Sequence, residues 1–297
     1  MFQIVNPSLL RGTAPEIPID LTVETLVLER NVNENYVVSD RWSQHLFGYH
    51  VDFEPYKHVY IVNGQYMSYS VTQVLEFFFG TFDADETIMK MKNSSSQIWT
   101  RLEYSSLTAS GEYEPFSDEQ IKLKWALDRN RGTWMHYNIE RYLNGLHYSS
   151  DVDYEMDLFI KFYENEILGR GLSSYITEWR IASPKALGLA GSVDFVGRFE
   201  DGTFGIVDWK RIKNWDSIHS NFAKQCTGVL SELGASNYNK YSLQVNLYRY
   251  ILEHEYGIKI SWMAVASFHP NQGDYKFAVI ENMDEIVEKI VLYLKCR

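Results

Sequence analysis

The sequence is poor in cysteine, in proline and in positive charge. Its two cysteines, Cys226 and Cys296, are too few for a disulfide scaffold or for a zinc or iron–sulfur site with four cysteine ligands. No hydrophobic run approaches the roughly 18 residues that a membrane-spanning helix needs, and no basic-then-apolar leader opens the sequence. We therefore expect a soluble, intracellular protein with no membrane partner.

The sequence does contain enough apolar material for a large core. Of its 297 residues, 45% are hydrophobic and 15% are aromatic, which excludes wholesale disorder. The formal net charge is −11, from 28 Lys and Arg against 39 Asp and Glu. This balance argues against a non-specific polycationic binder, because such binding scales with the phosphates that are neutralised. It does not exclude a nucleic-acid enzyme, since nearby side chains and bound metal ions set the local field.

The pattern along the chain predicts two parts. Residues 1–119 contain an Asn63-Gly64 hairpin signal and a Ser70–Gln73 capping box ahead of an apolar helix, and we interpret them as an accessory segment of hairpin plus helices packed on the core. Residues 120–297 read as two helices, three strands, a crossover helix, one or two further strands and a last helix. This order predicts an α/β fold with a mixed central sheet flanked by helices.

Two neighbouring apolar strands carry charged residues near their ends. The first contains Asp194, and the second ends in Asp208-Trp209-Lys210. Unpaired buried charge is costly, so these residues need a partner or a ligand. Two facing carboxylates repel each other and favour a cation between them, and all-oxygen ligation favours Mg²⁺ or Mn²⁺. Lys210 beside such an ion could orient or deprotonate a water, or stabilise charge developing on a phosphate.

The length of the turn between these strands decides whether the two carboxylates meet. A two-residue turn at Asp201-Gly202 would put Asp194 and Asp208 on opposite faces of the sheet. A three-residue turn that starts at Glu200 puts them directly opposite each other, and it requires a glycine such as Gly202 at its last, left-handed position. Strand alternation then sends Lys210 to the same face as Asp208.

An Asp-x-Lys sequence by itself is a weak signal. The chain contains a second example, Asp274-Tyr275-Lys276, with no acidic partner on a preceding strand, and we interpret it as a solvated turn. For Asp208 and Lys210, the alternative to a ligand site is an exposed salt bridge at a sheet edge.

Two helical motifs flank the charged strands. Upstream, His136 follows Gly132 by four residues, and downstream Tyr248 follows Gln244 by four, so each pair spans about one helical turn. Taken in order, these motifs resemble those of the RecB-like branch of the PD-(D/E)XK nuclease superfamily, including its phage, viral and mitochondrial genome-maintenance exonucleases. The resemblance covers about residues 120–270 and rests on Gly132…His136, Gly191…Asp194, Asp208…Lys210 and Gln244…Tyr248.

This resemblance implies a restriction-endonuclease-like core and a stand-alone, Mg²⁺- or Mn²⁺-dependent deoxyribonuclease. It implies that Lys210 is the catalytic lysine and that Gln244 and Tyr248 support the site and contact the nucleic acid. A Glu178 ligand on the strand before the hairpin is a further possibility that many relatives share, the alternative being an exposed strand carboxylate. The implied metal ligands are His136, Asp194, Asp208 and the backbone carbonyl of Trp209.

Basic and aromatic residues near the proposed site are candidates for contact with DNA. Arg211 and Lys213 leave the site directly, and Arg131 lies on the helix that leads to His136. Residues 211–240 are interpreted either as a lid or strand guide, with Trp215 or Phe222 stacking on bases, or as a plain surface loop.

The function that the sequence favours is an exonuclease acting on single-stranded DNA or DNA ends in replication, recombination or repair. A structure-specific endonuclease of the same fold is one alternative. A non-catalytic nucleic-acid-binding module is another, and it is disfavoured because neither acid nor the lysine is missing.

Overall fold

A six-stranded mixed sheet forms the centre of the structure, a computed structural model that describes residues 50–54, 57, 59–94, 104–108, 110–220 and 224–297. In chain order the strands are β1 (Val51–Glu54), β2 (Val59–Val62), β3 (Gln65–Tyr66), β4 (Tyr69–Ser70), β5 (Ser105–Leu107), β6 (Tyr113–Pro115), β7 (Ser173–Ser183), β8 (Leu189–Arg198), β9 (Phe204–Lys210), β10 (Ile260–Ser267) and β11 (Lys276–Val279). The α-helices of the described part are α1 (Val71–Phe79), α2 (Ala84–Asn93), α3 (Asp118–Leu143), α4 (Asp153–Phe162), α5 (Asn237–Glu255) and α6 (Asp284–Lys295).

The central sheet combines antiparallel and parallel pairings. Its order is β11-β10-β9-β8-β4, with β7 along the other edge of β8. The strands β7, β8 and β9 are antiparallel neighbours, whereas β9 and β10 are parallel and are connected through the crossover helix α5. The structure confirms the predicted fold class: a mixed sheet flanked by helices, as expected of a restriction-endonuclease-like core with helical N-terminal additions.

Apolar side chains fill the space between the sheet and the helices on both of its faces. On one face, α1, α5 and α6 bury residues such as Leu75, Leu243 and Ile290 in one cluster. On the other face, α3 and α4 pack against β9, where the Phe159 ring meets the ring of Trp209 edge-on at 5.5 Å between centroids. Full burial of one such side chain contributes about 1.5–3 kcal/mol, so both helical layers hold the sheet in place.

The turn between β8 and β9 has the predicted three-residue form. Phe195 pairs with Val207 and Arg198 pairs with Phe204, which is the register expected from the three-residue turn, and the ladder ends one residue before Asp194 and Asp208. Gly202 has a φ of +84°, the left-handed conformation that glycine adopts without a steric penalty. The turn therefore agrees with the register of β8 and β9 up to the edge of the candidate site.

Strand β4 and helix α1 of the N-terminal segment are built into the core region. The predicted capping box starts α1, since the Ser70 N–H donates to Gln73 Oε1 at 2.8 Å and the Gln73 N–H donates to Ser70 Oγ at 3.1 Å. Strand β4 joins the central sheet beside β8, and β1–β3 form a small separate sheet. Residues 1–49 lie outside the described residues, and the division at residues 119 and 120 stays a prediction.

The helices give no sign of a membrane span. Across the described ranges, none is both long and apolar enough to cross a bilayer.

Candidate metal centre

The candidate site lies where β8 and β9 separate. The hydrogen-bonded ladder between β8 and β9 ends at the Phe195–Val207 pair. Nearer the start of β8, the same edge pairs instead with β4, at Leu189. In the gap between the two pairings, Asp194 Oδ2 accepts a hydrogen bond from the Trp209 N–H at 2.7 Å. A backbone donor that has lost its strand partner is thus satisfied by a carboxylate, which fixes the position of that carboxylate.

Three ligand-type side chains from three elements converge at this gap. His136 of α3, Glu178 of β7 and Asp194 of β8 each offer one ligand atom, and these atoms all lie within 4.8 Å of one another. His136 Nδ1 is 3.6 Å from Asp194 Oδ2 and 3.7 Å from Glu178 Oε1. An imidazole and two carboxylates at this separation are able to share one divalent cation.

Glu178 reaches this group with an unusual backbone conformation. Its φ is +48°, although its neighbours Thr177 and Trp179 pair in a continuous register with Phe195 and Val193. A left-handed residue other than glycine costs about 1–3 kcal/mol and persists where the surroundings impose it. Such residues concentrate at functional sites, so the strain agrees with a role for the Glu178 carboxylate.

Asp208 and Lys210 lie beside this group at the end of β9. Asp208 is 1% exposed, and the Lys210 ammonium is 2.5 Å from its Oδ2 atom. Within the described ranges, that buried oxygen has no hydrogen-bond donor apart from its close contact with the Lys210 ammonium. A buried carboxylate oxygen with spare accepting capacity is a suitable ligand for a cation.

Helix α5 holds Lys210 from the other side. The ammonium donates to Gln244 Oε1 at 3.3 Å, and Gln244 Nε2 donates to the Tyr248 hydroxyl at 3.0 Å. A Cβ atom on Gly191 would lie 2.7 Å from Tyr248 Cε1, so only glycine lets this ring pack against β8. Gly191 and Tyr248, which belong to two separate sequence motifs, therefore pack against each other in the fold.

The charges of the site act strongly on its titratable groups. Burial lowers the pKa of His136, but the Asp194 and Glu178 carboxylates more than offset this and raise that pKa to about 10. Burial opposes ionisation of Asp194 too, but His136 and Lys210 hold its pKa below the usual value. The opposite charges in the cluster therefore stabilise one another.

Asp208 behaves differently from Asp194. Burial raises its pKa to about 6, with Lys210 acting against the shift and the Asp194 charge adding to it. Its carboxylate is consequently the less well stabilised of the two, and it gains more from a bound cation.

The structure brings together most of the residues that the sequence singles out. His136, Glu178 and Asp194 form the group of three, and Asp208 and Lys210 adjoin it. A single ion shared by Asp194 and Asp208 stays a prediction, as does a ligand role for the Trp209 carbonyl, because Asp208 lies outside the group of three.

Two residues predicted to contact nucleic acid are largely buried in the structure. The Arg211 side chain is 7% exposed and its Nε donates to Glu155 Oε1 at 3.0 Å, so this guanidinium is engaged in a buried ion pair. Tyr248 is 4% exposed and its hydroxyl faces Gln244, so it supports the site from within. Contact of either side chain with DNA stays a prediction.

The other candidates for contact with DNA have mixed positions. Lys213 is exposed and Arg131 is half-buried, and their contact with DNA stays a prediction. Trp215 is half-buried and packs against the cluster that contains Leu243 of α5, and its stacking on bases stays a prediction. Phe222 lies outside the described residues.

Two residues near the site were missed from the sequence. The Tyr241 ring lies 5.2 Å from Lys210 Nζ, and its position three residues before Gln244 is a helical spacing that could have indicated it. Burial raises the pKa of Tyr60, and Arg180, Glu178 and Asp194 all influence it, which puts this phenol of β2 within electrostatic range of the site. No local pattern identifies Tyr60.

Comparisons with known proteins give distant structural likenesses. No protein-family model and no curated protein matches the sequence. Among solved structures, the chain is similar to LHK-Exo, an alkaline exonuclease from Laribacter hongkongensis, with a TM-score of 0.32 and 15% identity over 55% of this chain and 74% of that chain. LHK-Exo in complex with dAMP gives a TM-score of 0.31 and 17% identity over 61% and 77% of the two chains. The crystal structure of SSO0001 gives a TM-score of 0.33 and 10% identity over 89% of this chain and 84% of that chain.

Similarity at this level carries no argument about chemistry. The chemistry of the site therefore has to be inferred from its own geometry and from the sequence motifs that contribute its residues.

Proposed function

We propose that this protein is a divalent-metal-dependent nuclease that hydrolyses phosphodiester bonds of DNA. The observation that carries the proposal is the convergence of His136, Glu178 and Asp194 beside the buried Asp208–Lys210 pair. A nuclease needs both halves of this arrangement: anionic ligands for a cation, and a fixed positive group next to them.

The residues present fit Mg²⁺ or Mn²⁺. Carboxylate oxygens with one imidazole suit a hard ion, and the buried Asp208 Oδ2 has accepting capacity to offer. We assign His136, Asp194 and Asp208 as ligands together with the Trp209 carbonyl, with Glu178 as a further ligand. When bound, such an ion would supply Lewis acidity toward a phosphate oxygen and activation of a water.

Lys210 supplies the positive charge that the reaction requires of the chain itself. In the hydrolysis, a water oxygen bonds to phosphorus and the bond from phosphorus to the leaving sugar oxygen breaks. One proton of the water ends on the leaving oxygen, and the products are a phosphate monoester and a hydroxyl. The ammonium, held by Asp208 and Gln244, is placed to stabilise the charge that grows on the phosphate oxygens.

We propose that the substrate is single-stranded DNA or a DNA end, and that the enzyme is an exonuclease. The support for this step is the resemblance of the four motifs to RecB-like exonucleases. The ligand side chains are largely buried, with Asp194 8% exposed and Asp208 1% exposed, and we infer that the scissile phosphate enters a recess. A free end or a single strand enters such a recess more readily than an intact duplex.

A time course on labelled DNA tests the proposed function. Single- and double-stranded DNA labelled at the 5′ or 3′ end would be incubated with Mg²⁺, Mn²⁺ or EDTA, and the fragments resolved by length. Stepwise, metal-dependent shortening from one end is the expected result. Internal cuts at junctions would favour the endonuclease, and binding without cleavage of any substrate would favour a non-catalytic module.

A further inference from the structure

Three side chains on one face of α5 point toward the end of β9. Tyr241, Gln244 and Tyr248 are spaced three and four residues apart, which aligns them on consecutive turns of the helix. Gln244 contacts Lys210 directly and Tyr248 fixes Gln244. The sequence motif accounts for these two residues but not for Tyr241.

The ring of Tyr241 provides a second uncharged contact for the same ammonium. Lys210 Nζ lies over this ring at 5.2 Å from its centroid, within the range of a cation–π interaction. The Lys210 side chain is 20% exposed, so the contact is partly shielded from water and stronger than one at the surface.

The uncharged contacts differ from the ion pair in how they respond to a metal ion. A divalent cation held by Asp208 would share the charge of that carboxylate and weaken its attraction for Lys210. Gln244 and the Tyr241 ring carry no charge, and the aromatic face of Tyr241 offers no oxygen to a hard cation, so the hold of this face on the ammonium would persist.

We propose that Tyr241 is a positioning residue of this site, whose aromatic face keeps the Lys210 ammonium in place once Asp208 is engaged by a metal ion. The inference rests on the proposed function, and it adds to that function a residue that acts through Lys210 and does not touch the substrate. It requires the ring of Tyr241 and not its hydroxyl.

Two substitutions at this position separate the ring from the hydroxyl. Tyr241→Phe keeps the aromatic face, and Tyr241→Leu removes it with a similar apolar volume. Tyr238→Leu is the matched control, since Tyr238 lies one turn earlier on α5 and its ring contacts His219 in a tilted arrangement at 4.4 Å between centroids. In single-turnover cleavage at saturating Mn²⁺ and DNA, we expect Tyr241→Leu to be about tenfold slower than wild type, and Tyr241→Phe and Tyr238→Leu to stay within about twofold.

Affinity measurements show where the loss falls. Because the ring holds a group that acts on the transition state, DNA affinity measured with Ca²⁺ should be unchanged in Tyr241→Leu. A wild-type rate for Tyr241→Leu, an equally slow Tyr241→Phe, or a loss confined to DNA affinity would each overturn the proposal.

An NMR measurement tests the same contact without any catalysis. In protein carrying ¹³C-labelled lysine, the Lys210 ε-methylene signal is identified as the one absent from Lys210→Arg. The ring current of Tyr241 should shift this signal upfield in wild type and in Tyr241→Phe with Ca²⁺ bound, and the shift should vanish in Tyr241→Leu. An unshifted signal in wild type would overturn the positioning role even if the enzyme cleaves DNA. If wild type cleaved no DNA, the nuclease proposal would fail. The Lys210 signal would still show whether the Tyr241 ring contacts Lys210.

Discussion

The chain contains two Asp-x-Lys sequences, and the fold gives them opposite surroundings. Asp208 and Lys210 end a central strand that has β8 on one side and β10 on the other, and Asp208 is 1% exposed. Asp274 precedes the edge strand β11 and Lys276 begins it. The Asp274 side chain is 47% exposed, and it pairs with Lys161 at 2.6 Å.

The two aspartates also titrate in opposite directions. Burial raises the pKa of Asp208 to about 6. A hydrogen bond from Lys161 lowers the pKa of Asp274. The same three-residue spacing therefore gives an ordinary surface ion pair in one place and a carboxylate suited to a cation in the other. Chemistry here follows from the strand position and from the acidic partner on β8, and not from the spacing.

The largest expected contrast is in catalysis. Lys210→Ala should slow metal-dependent cleavage by about a thousandfold, because it removes the fixed positive charge at the reacting phosphate. Lys276→Ala should cleave at the wild-type rate. Single-turnover assays on the preferred DNA substrate would measure both, with circular dichroism as the check on folding. Comparable losses of cleavage rate in the two variants would contradict the different roles assigned to Lys210 and Lys276.

The next contrast is in the pH dependence of stability without metal. The raised pKa of His136, about 10, means that its charged form contributes stability that is fully present below pH 6.5 and is lost as pH rises through about 10. His136→Gln in EDTA should therefore lower the free energy of unfolding by about 3 kcal/mol at pH 6, because it leaves buried carboxylates without their partner. The difference from wild type should shrink progressively up to about pH 10.

Urea titrations across this pH range would test that prediction. The control is Asp274→Asn, which breaks an exposed ion pair and should leave the midpoint unchanged, since such pairs contribute little. A His136→Gln effect that does not vary with pH would mean that packing, and not charge, accounts for it.

A smaller contrast concerns backbone strain. Glu178→Gly and Glu178→Ala both remove the carboxylate, but only glycine relieves the left-handed conformation at this position. We expect Glu178→Gly to be about 1 kcal/mol more stable than Glu178→Ala by thermal or urea unfolding. At Lys276 in β11 the order should be reversed, because glycine weakens an ordinary strand. If the Gly and Ala variants ranked in the same order of stability at both positions, backbone strain at Glu178 would be contradicted.

Local chemistry in the sequence is sufficient to predict much of this site. Gly202 at the end of a three-residue turn predicts the register of β8 and β9, and the Phe195–Val207 and Arg198–Phe204 pairs confirm that register. The capping box at Ser70 predicts the start of α1 in the same way. These predictions succeed because the interacting groups are a few residues apart.

What the sequence could not predict depends on distant segments. The pairing of β4 with β8, the burial of Arg211 against Glu155 and the approach of Tyr60 to the site each join residues more than 50 positions apart or on separate sheets. No residue near Glu178 indicates its left-handed backbone, because side chains other than glycine adopt it only when tertiary contacts impose it.

The most direct test of the central claim is a calorimetric titration of Mn²⁺ into wild type, Asp208→Asn and Asp274→Asn at pH 7.5. The proposed site predicts that wild type and Asp274→Asn bind Mn²⁺ with equal affinity and that Asp208→Asn binds at least about tenfold more weakly, because it loses an anionic ligand. Equal affinity of all three proteins, or no binding by wild type, would contradict it.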